Sequence, residues 1–383
     1  MPTNVKGRRP LYLDVADALK TQIEEGRYRV GDYMPPEREL VTEFACSRAT
    51  IRLAIDMLIS QEIAERRPKR GVVIHGVPST GRGEIAQLSG TVSIIFPSAN
   101  WHINSMRVLN GCQSSLYQNS TYAIVCDSGY LNLPEGMHKE VEHLESMMAK
   151  GVKGIIFWPA YQQSGLDVFL RAQAAGVSIV LVDRQIPGFD CDFVGVDNVD
   201  GAYQATMHLI SHGHKRIAHV THPALPTSLT QRIEGYRKAL EEAGIEYDER
   251  MVVGAWAHSD MEQIGAALKQ LLSLDNPPTA IFCATDQIAS AVIGRLHNIG
   301  IAVPGDMAIV GFDDDFYAKL SPIPITTVEQ PFETIGQEAV RLLMSRLRDK
   351  TLGPPKKVIL PVKIILRQSC GSPDAHLKLE VRS

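Results

Sequence analysis

Short runs rich in valine and isoleucine alternate with segments of helical spacing along most of residues 91–348. Runs of this kind are typical of strands buried on both faces, and their alternation with helices predicts parallel sheets covered by helices on both sides. The strand candidates are Val92–Phe96, Tyr122–Cys126, Gly154–Trp158, Ser178–Val182, Ile217–Val220, Ala280–Cys283 and Ala308–Gly311. Helical spacing falls at about 105–119, 138–150, 165–175, 199–213, 231–243, 260–273, 286–299 and 332–348. Because about 280 residues are too many for one such sheet, the pattern predicts an α/β fold with two Rossmann-like lobes and hinge crossings near 183–198 and 321–331.

The N-terminal 76 residues follow a mainly helical pattern instead. Helices are expected at about 12–26, from Pro36 onward, and from the N-cap Ser47 to about Ser60. Two short strands follow at 63–66 and 72–74. The buried stripe of the third helix is expected to consist of Ile51, Ala54, Ile55 and Leu58. Helix, turn, helix and hairpin in this order predict a small winged helix-turn-helix domain.

Positive charge is concentrated on the third helix of this head. The whole chain has a net charge of −4, whereas residues 1–76 hold 13 Lys and Arg against 11 Asp and Glu. Arg48 and Arg52 lie one turn apart and therefore share a face. A helix of this kind can enter a major groove and place Arg48, Thr50 and Arg52 on phosphates or base edges.

A second group of cations, at 66–70, falls in the expected hairpin. Its tip contains Lys69 and Arg70, which can lie against the phosphate backbone or enter the minor groove. The alternative is a small helical domain with a solvated basic rim. DNA binding is favoured because helix, turn, helix and basic hairpin occur in order within about 40 residues.

Aromatic and polar side chains follow several of the predicted strands, where ligands of parallel α/β sheets bind. The three tryptophans of the chain, Trp101, Trp158 and Trp256, all come just after strands. Charged residues at similar positions are Asp183, Arg184, Asp197, Asp286 and Asp313. Flat aromatic faces beside carboxylate and guanidinium groups suit a polyhydroxylated ligand, so the three tryptophans are expected to contact one. The alternative is that each Trp belongs to the core and that Asp200 and Asp286 are helix caps.

Several other classes of protein find no support. A chain of 383 residues with 44% hydrophobic residues predicts two or more globular domains, without an apolar run long enough to cross a membrane. No apolar segment follows the basic start, so the cytoplasm is expected. The six cysteines are scattered, and His208, His212 and His214 have no suitably placed carboxylate or thiol, so neither a metal nor another cofactor is expected. No nucleophile elbow or phosphate-binding loop indicates an enzyme.

Residues 10–75 resemble the winged helix-turn-helix head of the GntR family. The matching residues are Pro10-Leu11-Tyr12, Gly31-Asp32, Pro36-Glu37-Arg38-Glu39-Leu40, Ser47-Arg48-Ala49-Thr50-Ile51-Arg52 and Arg66 through Gly71. The resemblance implies base or phosphate contacts by Arg38, Arg48 and Arg52, a phosphate contact by Thr50, and a wing that contains Gly71. The departures from the family pattern are Ala45 in place of a turn glycine, Ala49 in place of a hydroxyl residue, and Pro68-Lys69-Arg70 in the wing.

Residues 91–370 resemble the effector domain of the LacI/GalR family, which is similar to periplasmic sugar-binding proteins. The signposts are Val182-Asp183-Arg184, Val196-Asp197-Asn198 through Gly201-Ala202, His212 through Ile217, Gln231-Arg232 through Gly235-Tyr236, Ala284-Thr285-Asp286, Val303 through Asp306, Val310 through Asp314, and Thr326 through Gln330. The resemblance implies effector contacts at Asp183, Arg184, Ser228, Arg232, Trp256, Asp286, Asp313 and Gln330, with Trp158 on the cleft wall. One departure is Thr285, where sugar binders often have Asn. The combination of this head and this body resembles the arabinose repressors of Gram-positive bacteria, which implies a sugar, with a pentose as the first candidate.

The sequence therefore predicts a ligand-responsive transcription factor, and a repressor that a monosaccharide-type effector releases from double-stranded operator DNA. One helix reads only a short half-site, so a homodimer on a pseudo-palindromic operator is expected. The expected organisation is a DNA-binding domain at 1–76, a linker at 77–90, an effector-binding and dimerisation domain at 91–370 and a tail at 371–383. Within the effector domain, the first lobe is expected at 91–196 and 330–354, and the second at 197–329 and 355–370. The alternatives are a transport-type sugar-binding protein, which has no use for the basic head, and a sugar-active enzyme on the same α/β scaffold.

Overall fold

The structure is a computed structural model. The chain forms two compact units, Met1–Ala86 and Gln87–Ser383. It describes residues 11–24, 26–60, 63–67, 71–75, 91–97, 103–129, 134–160, 165–223, 226–255, 261–349 and 353–371. The expected linker at 77–90 lies outside the described residues, as does the tail beyond Gly371.

The first unit contains three helices followed by a hairpin. The helices are α1 (Leu11–Glu24), α2 (Glu37–Glu43) and α3 (Arg48–Ser60), and the antiparallel strands are β1 (Ala64–Arg67) and β2 (Gly71–Ile74). The stripe predicted for α3 is confirmed, because Ile51, Ala54, Ile55 and Leu58 are all buried. The turn between α2 and α3 contains Ala45 with φ +47°, so alanine adopts a left-handed conformation that favours glycine.

The larger unit begins with a parallel sheet. Its strands are β3 (Val92–Phe96), β4 (Ala123–Asp127), β5 (Gly154–Phe157), β6 (Ser178–Val182), β7 (Asp192–Val196) and β13 (Lys357–Leu360), in the order β13-β7-β6-β5-β3-β4. The helices around it are α4 (Ile103–Gln118), α5 (Pro134–Ala149), α6 (Leu166–Ala174) and α12 (Phe332–Arg348). Because both faces are buried, the strands alternate side chains between two hydrophobic clusters, one against α4 and α12 and the other against α5 and α6.

A second parallel sheet completes the unit. Its strands are β8 (Ile217–Thr221), β9 (Val252–Gly254), β10 (Ala280–Cys283) and β11 (Ala308–Val310), in the order β11-β10-β8-β9. A separate antiparallel pair joins β12 (Thr327–Glu329) to β14 (Lys363–Ile365). The helices are α7 (Asn198–Ser211), α8 (Thr227–Glu242), α9 (Met261–Leu272), α10 (Asp286–Asn298) and α11 (Phe316–Leu320). None of the helices in the described ranges is long and apolar enough to span a membrane.

The expected α/β class with two lobes is confirmed, but two details of the chain path are corrected. The stretch 183–198 is not an open crossing throughout, since it contains β7, whose five residues are all buried. The segment 355–370 does not belong entirely to the second lobe. Lys357–Leu360 pairs in parallel with β7, where its hydrogen bonds complete that edge, and only the part from β14 onward joins the second lobe.

Candidate functional site

A cavity lies between the two sheets of the larger unit, at the carboxyl ends of their strands. Its described lining consists of Asn104, Trp158, Asp183, Arg184, His222, Pro226, Ser228, Leu229, Arg232, Thr285, Gln287, Ile288, Asp313, Asp315, Gln330 and Phe332. This edge is where the strand and helix order of a parallel α/β sheet opens a crevice for ligands. Seven of the ten predicted effector residues are in this lining.

Arg232 lines the cavity and is only 3% exposed. Its Nε donates to Asn198 Oδ1 over 2.9 Å, and one terminal nitrogen donates to the carbonyl of Ala284 and lies 3.5 Å from Asp313 Oδ1. The guanidinium also stacks over the Phe312 ring, 3.7 Å from its centroid. Burial lowers the pKa of Arg232, and the carboxyl groups of Asp313 and Asp183 oppose that effect. The buried cation is therefore held in a fixed position by partners that compensate its charge.

Asp313, the ion-pair partner of Arg232, is held by two amide side chains as well. Gln330 Nε2 donates to its Oδ1 over 2.7 Å, and Asn104 Nδ2 lies 3.4 Å from its Oδ2. Burial raises the pKa of Asp313 to about 7, although Arg232 acts in the other direction. This carboxyl group can accept hydrogen bonds from a ligand, and it does so best when it is ionised.

The backbone is strained at two aspartates whose carboxylates line the cavity, Asp183 and Asp313. Asp183, directly after β6, has φ +63°, and Asp313 and Asp314, after β11, have φ +121° and +51°. Non-glycine residues in this region cost about 1–3 kcal/mol each and cluster at binding sites. The conformations place Asp183 and Asp313 on the lining, while Asp314 instead accepts from Arg367.

The remaining wall combines an ion pair with aromatic rings. Arg184 Nε lies 3.4 Å from Asp183 Oδ2, and its NH1 donates to the carbonyl of Pro159. Trp158 is buried and stacks on Phe332, with ring centroids 6.2 Å apart. The predicted position of Trp158 on the cleft wall agrees with its place in the lining, while Trp101 and Trp256 lie outside the described residues.

Asp286 does not line the cavity, contrary to the expectation for it. It is fully buried, and its carboxylate accepts from Thr327 Oγ1 over 2.6 Å and from the Asp315 amide over 3.0 Å. Burial and the nearby Asp315 raise the pKa of Asp286. It ties β12 to the loop after β11, and its neighbour Thr285 both lines the cavity and caps α10 through the Ile288 amide. Asp200 and Asp286 were the alternative helix caps, and neither is the N-cap of its helix. Asp197 caps α7 by accepting from the amide of Asp200, and Thr285 caps α10.

Several residues of the lining could not be identified as site residues from the sequence. Asn104 is a polar residue on the buried face of α4, and Phe332 begins α12, so each looks locally like an ordinary helix residue. Asp315 lies only two positions from a predicted residue, and its pKa is raised to about 6 by burial. Within the described ranges, no group of three or more His, Cys, Asp or Glu is arranged to hold a metal ion.

In the first unit, Glu37 positions the two predicted arginines of α3. Its carboxylate accepts from Arg48 Nε over 2.9 Å and from Arg52 Nε over 3.0 Å. The hydrogen bond from Arg52 is the main reason that the pKa of Glu37 is lowered. Both arginine side chains are still more than half exposed, so their terminal nitrogens are available to DNA phosphates or bases.

The other predicted DNA contacts surround this helix. Ser47 caps α3 by accepting from the Thr50 amide, and its hydroxyl is 2.8 Å from Thr50 Oγ1. Arg38 is 81% exposed, and its nearest acidic partner, Glu39, is 3.8 Å away. Gly71 opens β2 with φ +106°, as the wing turn requires, whereas Lys69 and Arg70 lie outside the described residues.

Two family profiles match the chain in these same regions. The bacterial regulatory proteins of the gntR family match residues 11–74, and the periplasmic binding protein-like domain matches residues 206–370. The HTH-type transcriptional regulator DegA of Bacillus subtilis (strain 168) is 31% identical over 249 residues, which are 64% of this chain and 71% of DegA. CelR of Thermobifida fusca is 34% identical over 233 residues, 60% of this chain and 67% of CelR.

Solved structures of transcriptional regulators share the fold of this chain. A CelR–cellobiose complex superposes with a TM-score of 0.64 at 24% identity and covers 94% of this chain and 100% of that one. The regulator CcpA of Lactococcus lactis gives a TM-score of 0.64 at 26% identity and covers 73% of this chain and 98% of CcpA. A winged helix-turn-helix head and a two-lobed cavity define a ligand-binding transcriptional regulator. The chain belongs to the HTH-type transcriptional regulators with a LacI-type, periplasmic-binding-protein-like effector domain and carries a GntR-type head.

Proposed function

We propose that the protein is a cytoplasmic repressor that binds a pseudo-palindromic operator as a homodimer and is released by a sugar. The observation that carries the effector part is the buried polar network of Arg232, Asp313 and Gln330 on the wall of the cavity. Fixed charges and amides around an aromatic wall are the groups that orient a small polyhydroxylated ligand. The CelR structure carries cellobiose and another neighbour, from Enterococcus faecium, carries ribose, which supports a sugar of one or two rings.

The cavity also joins the two lobes, which gives the effector a way to act. Asn104 and Arg107 are on α4 of the first lobe, and they contact Asp313 and the carbonyl of Asp314 in the second. A ligand that bonds to both sides favours the closed arrangement over an open one. A preference of about 1–3 kcal/mol between two such states gives a 5–150-fold change in affinity at the coupled site.

DNA recognition by the first unit is supported by two arginines, Arg48 and Arg52, whose side chains are already ordered by Glu37. Glu37 holds Arg48 and Arg52 side by side on the exposed face of α3, so less side-chain freedom is lost when they meet phosphates or bases. A homodimer would double the short contact of one helix. The exposed apolar side chains on α11 offer a surface for it, since Phe316 is 52% and Leu320 65% exposed.

We assign no catalysis to the cavity. Asp313, whose raised pKa suits a general acid or base, is engaged by Arg232, Gln330 and Asn104. These contacts fix it as a binding group. The named relatives are transcriptional regulators, which also favours binding over turnover. A transport-type sugar-binding protein would leave the paired arginines of α3 without a role.

Selection of DNA from a random duplex pool by the full chain tests the proposal. Enrichment of a two-fold symmetric sequence is expected, and binding to that duplex should weaken when a sugar panel that includes ribose, arabinose and cellobiose is added. Arg52→Ala should abolish the enrichment. Arg171→Ala is the matched control, because Arg171 is 57% exposed and paired with Glu145 much as Arg52 is with Glu37.

Each part of the proposal can fail separately. Failure to enrich any duplex contradicts DNA binding, and an asymmetric motif contradicts the homodimer on a palindrome. If no sugar changes the affinity, the sugar effector is wrong, and tighter binding with sugar contradicts release.

A further inference from the structure

The described lining of the cavity contains three carboxyl groups and two guanidinium groups, together with the imidazole of His222. The carboxyl groups are Asp183, Asp313 and Asp315, and the guanidinium groups are Arg184 and Arg232. All five are largely removed from water. A ligand that enters this cavity therefore meets guanidinium groups that already have carboxyl partners, with a further carboxyl group, Asp286, buried behind the wall.

Both cations of the lining are already engaged. Arg232 bonds Asn198 and the carbonyl of Ala284, stacks on Phe312 and pairs with Asp313. Arg184 forms an ion pair with Asp183 and donates from NH1 to the carbonyl of Pro159, while its Nε has no hydrogen-bond partner among the described residues. A phosphate group would have to compete with these buried carboxylates for each guanidinium, and breaking such a pair leaves an uncompensated charge.

Two amides turn their oxygens away from the carboxylate they bond. Only the NH₂ group of an amide can donate to a carboxylate, so Asn104 Nδ2 and Gln330 Nε2 must face Asp313. Both side chains are at least 98% buried, and within the described chain Asn104 Oδ1 and Gln330 Oε1 have no hydrogen-bond partner. A buried acceptor without a partner is costly, so these oxygens are best satisfied by hydroxyl hydrogens of a ligand.

We propose that the cavity selects an uncharged polyhydroxylated ligand and rejects the phosphate ester of the same sugar, with Asn104 as a specificity-determining residue. This inference depends on the proposed sugar effector. It names the chemical class: a ligand rich in hydroxyl donors, which satisfies Asn104 Oδ1, Gln330 Oε1 and the carboxylates at once. An anionic ester adds a charge that must compete with Asp183 and Asp313 for the guanidinium groups of the described lining.

Thermal unfolding of the full chain with paired ligands tests the selection. The probes are ribose with ribose 5-phosphate, arabinose with arabinose 5-phosphate, and glucose with glucose 6-phosphate, with cellobiose as an unpaired addition. Ligands that bind the folded state raise Tm. We expect a neutral sugar to raise Tm and its ester to bind at least about 100-fold more weakly, because the desolvated anion stays unpaired. An ester that binds as tightly as its sugar overturns the inference but leaves the sugar effector in place. If no member of either series raises Tm, both the sugar effector and the inference fail.

Variants of α4 then test Asn104 itself. Asn104→Ala should weaken binding of the active sugar by about tenfold or more, because the ligand loses a buried acceptor. Asn110→Ala is the matched control, since Asn110 lies on the same helix and is exposed. Equal affinities of the two variants would remove Asn104 from the site. Tm of the ligand-free variants and binding to the selected duplex show whether each one is folded.

A charge variant gives a readout that a loss of structure would not produce. Asp183→Asn releases Arg184 from its carboxylate partner, so the preference for sugar over its phosphate should fall by about tenfold. The ratio of the two affinities is compared within one variant, so a general loss of stability cancels. An unchanged ratio contradicts the charge-based selection.

Discussion

Replacing Arg232 by methionine removes the buried charge at the cavity wall and keeps an unbranched side chain over Phe312. The guanidinium donates to Asn198 Oδ1 and to the Ala284 carbonyl and pairs with Asp313. Removing one partner of a buried pair costs about 3–5 kcal/mol in the free energy of unfolding. We expect a value near the lower limit, because Asp313 can bind a proton and need not remain an uncompensated anion.

The size of this loss should depend on pH. Burial raises the pKa of Asp313 to about 7 even though Arg232 acts to lower it, so the pKa rises further without the arginine. At pH 6 the Asp313 carboxyl is largely protonated in both proteins. At pH 8 the wild-type carboxyl ionises and is stabilised by Arg232, whereas the variant has no cation there to stabilise the ionised form. Since one pKa unit corresponds to about 1.4 kcal/mol, the destabilisation should be about 1 kcal/mol larger at pH 8 than at pH 6. The groups that face Asp313 and enter this balance are Arg232, Asp183, Asp315, Asp286, Asn104 and Gln330.

Urea unfolding followed by tryptophan fluorescence measures the effect on the correct unit. Trp101, Trp158 and Trp256 all fall within Gln87–Ser383, so the signal reports on the effector unit alone. Arg341→Met is the control, because that arginine is 57% exposed and its pair with Glu338 contributes at most about 1 kcal/mol. A loss no greater than that of the control, or an equal loss at both pH values, would refute the assignment of Arg232 and Asp313 as a buried pair.

Three further outcomes are expected from the head and from α11. Arg48→Ala should reduce DNA-binding free energy by about 1–3 kcal/mol in a fluorescence anisotropy titration and leave sugar binding unchanged; an unchanged DNA affinity removes Arg48 from the interface. Ala45→Gly should raise the free energy of unfolding of the first unit by about 0.5–1 kcal/mol, because glycine relieves the positive φ. If urea unfolding gives a lower free energy for the variant than for the wild type, the turn tolerates alanine. Leu320→Asp should convert dimer to monomer in light scattering; a persistent dimer would place the interface elsewhere.

Local patterns predicted many strands of the two parallel sheets, because parallel strands with both faces buried are continuous apolar runs. The strands that were not among the candidates are β7, β9, β12, β13 and β14, and β7 was expected within a loose crossing. Its first residue, Asp192, is charged, and Gly195 interrupts the apolar residues Phe193, Val194 and Val196, so the hydrophobic run is short. The structure shows why the charge is tolerated: Arg346 on α12 bonds both carboxylate oxygens, at 2.8 and 2.9 Å. That partner is 154 residues away in the chain, so local sequence cannot indicate it.

The same limit separates the predicted from the unexpected residues of the cavity. Asp183 and Asp313 follow predicted strands, so their positions could be predicted from the pattern, whereas Arg232 was implied only by the resemblance to the LacI/GalR family. Asn104 meets Asp313 across 209 residues of chain, and only the packing of the two lobes brings them together. Asp286 follows a strand as Asp313 does, but its carboxylate is turned toward Thr327 and the Asp315 amide instead of the cavity. Strand ends identify an edge of the sheet, whereas side-chain direction there depends on tertiary contacts.

A protonated Asp313 and a ligand hydroxyl compete for the same oxygen atoms, and this couples effector binding to pH. With a pKa of about 7, the carboxyl is half protonated near neutrality in the ligand-free protein. If the ligand donates hydrogen bonds to it, the ionised form binds best and affinity should rise about tenfold between pH 6 and pH 8. Titration calorimetry in buffers of different ionisation enthalpy should then detect proton release near pH 7, and Asp313→Asn should abolish that release. Proton uptake on binding, or affinity that is constant across this range, would show that Asp313 does not accept from the ligand.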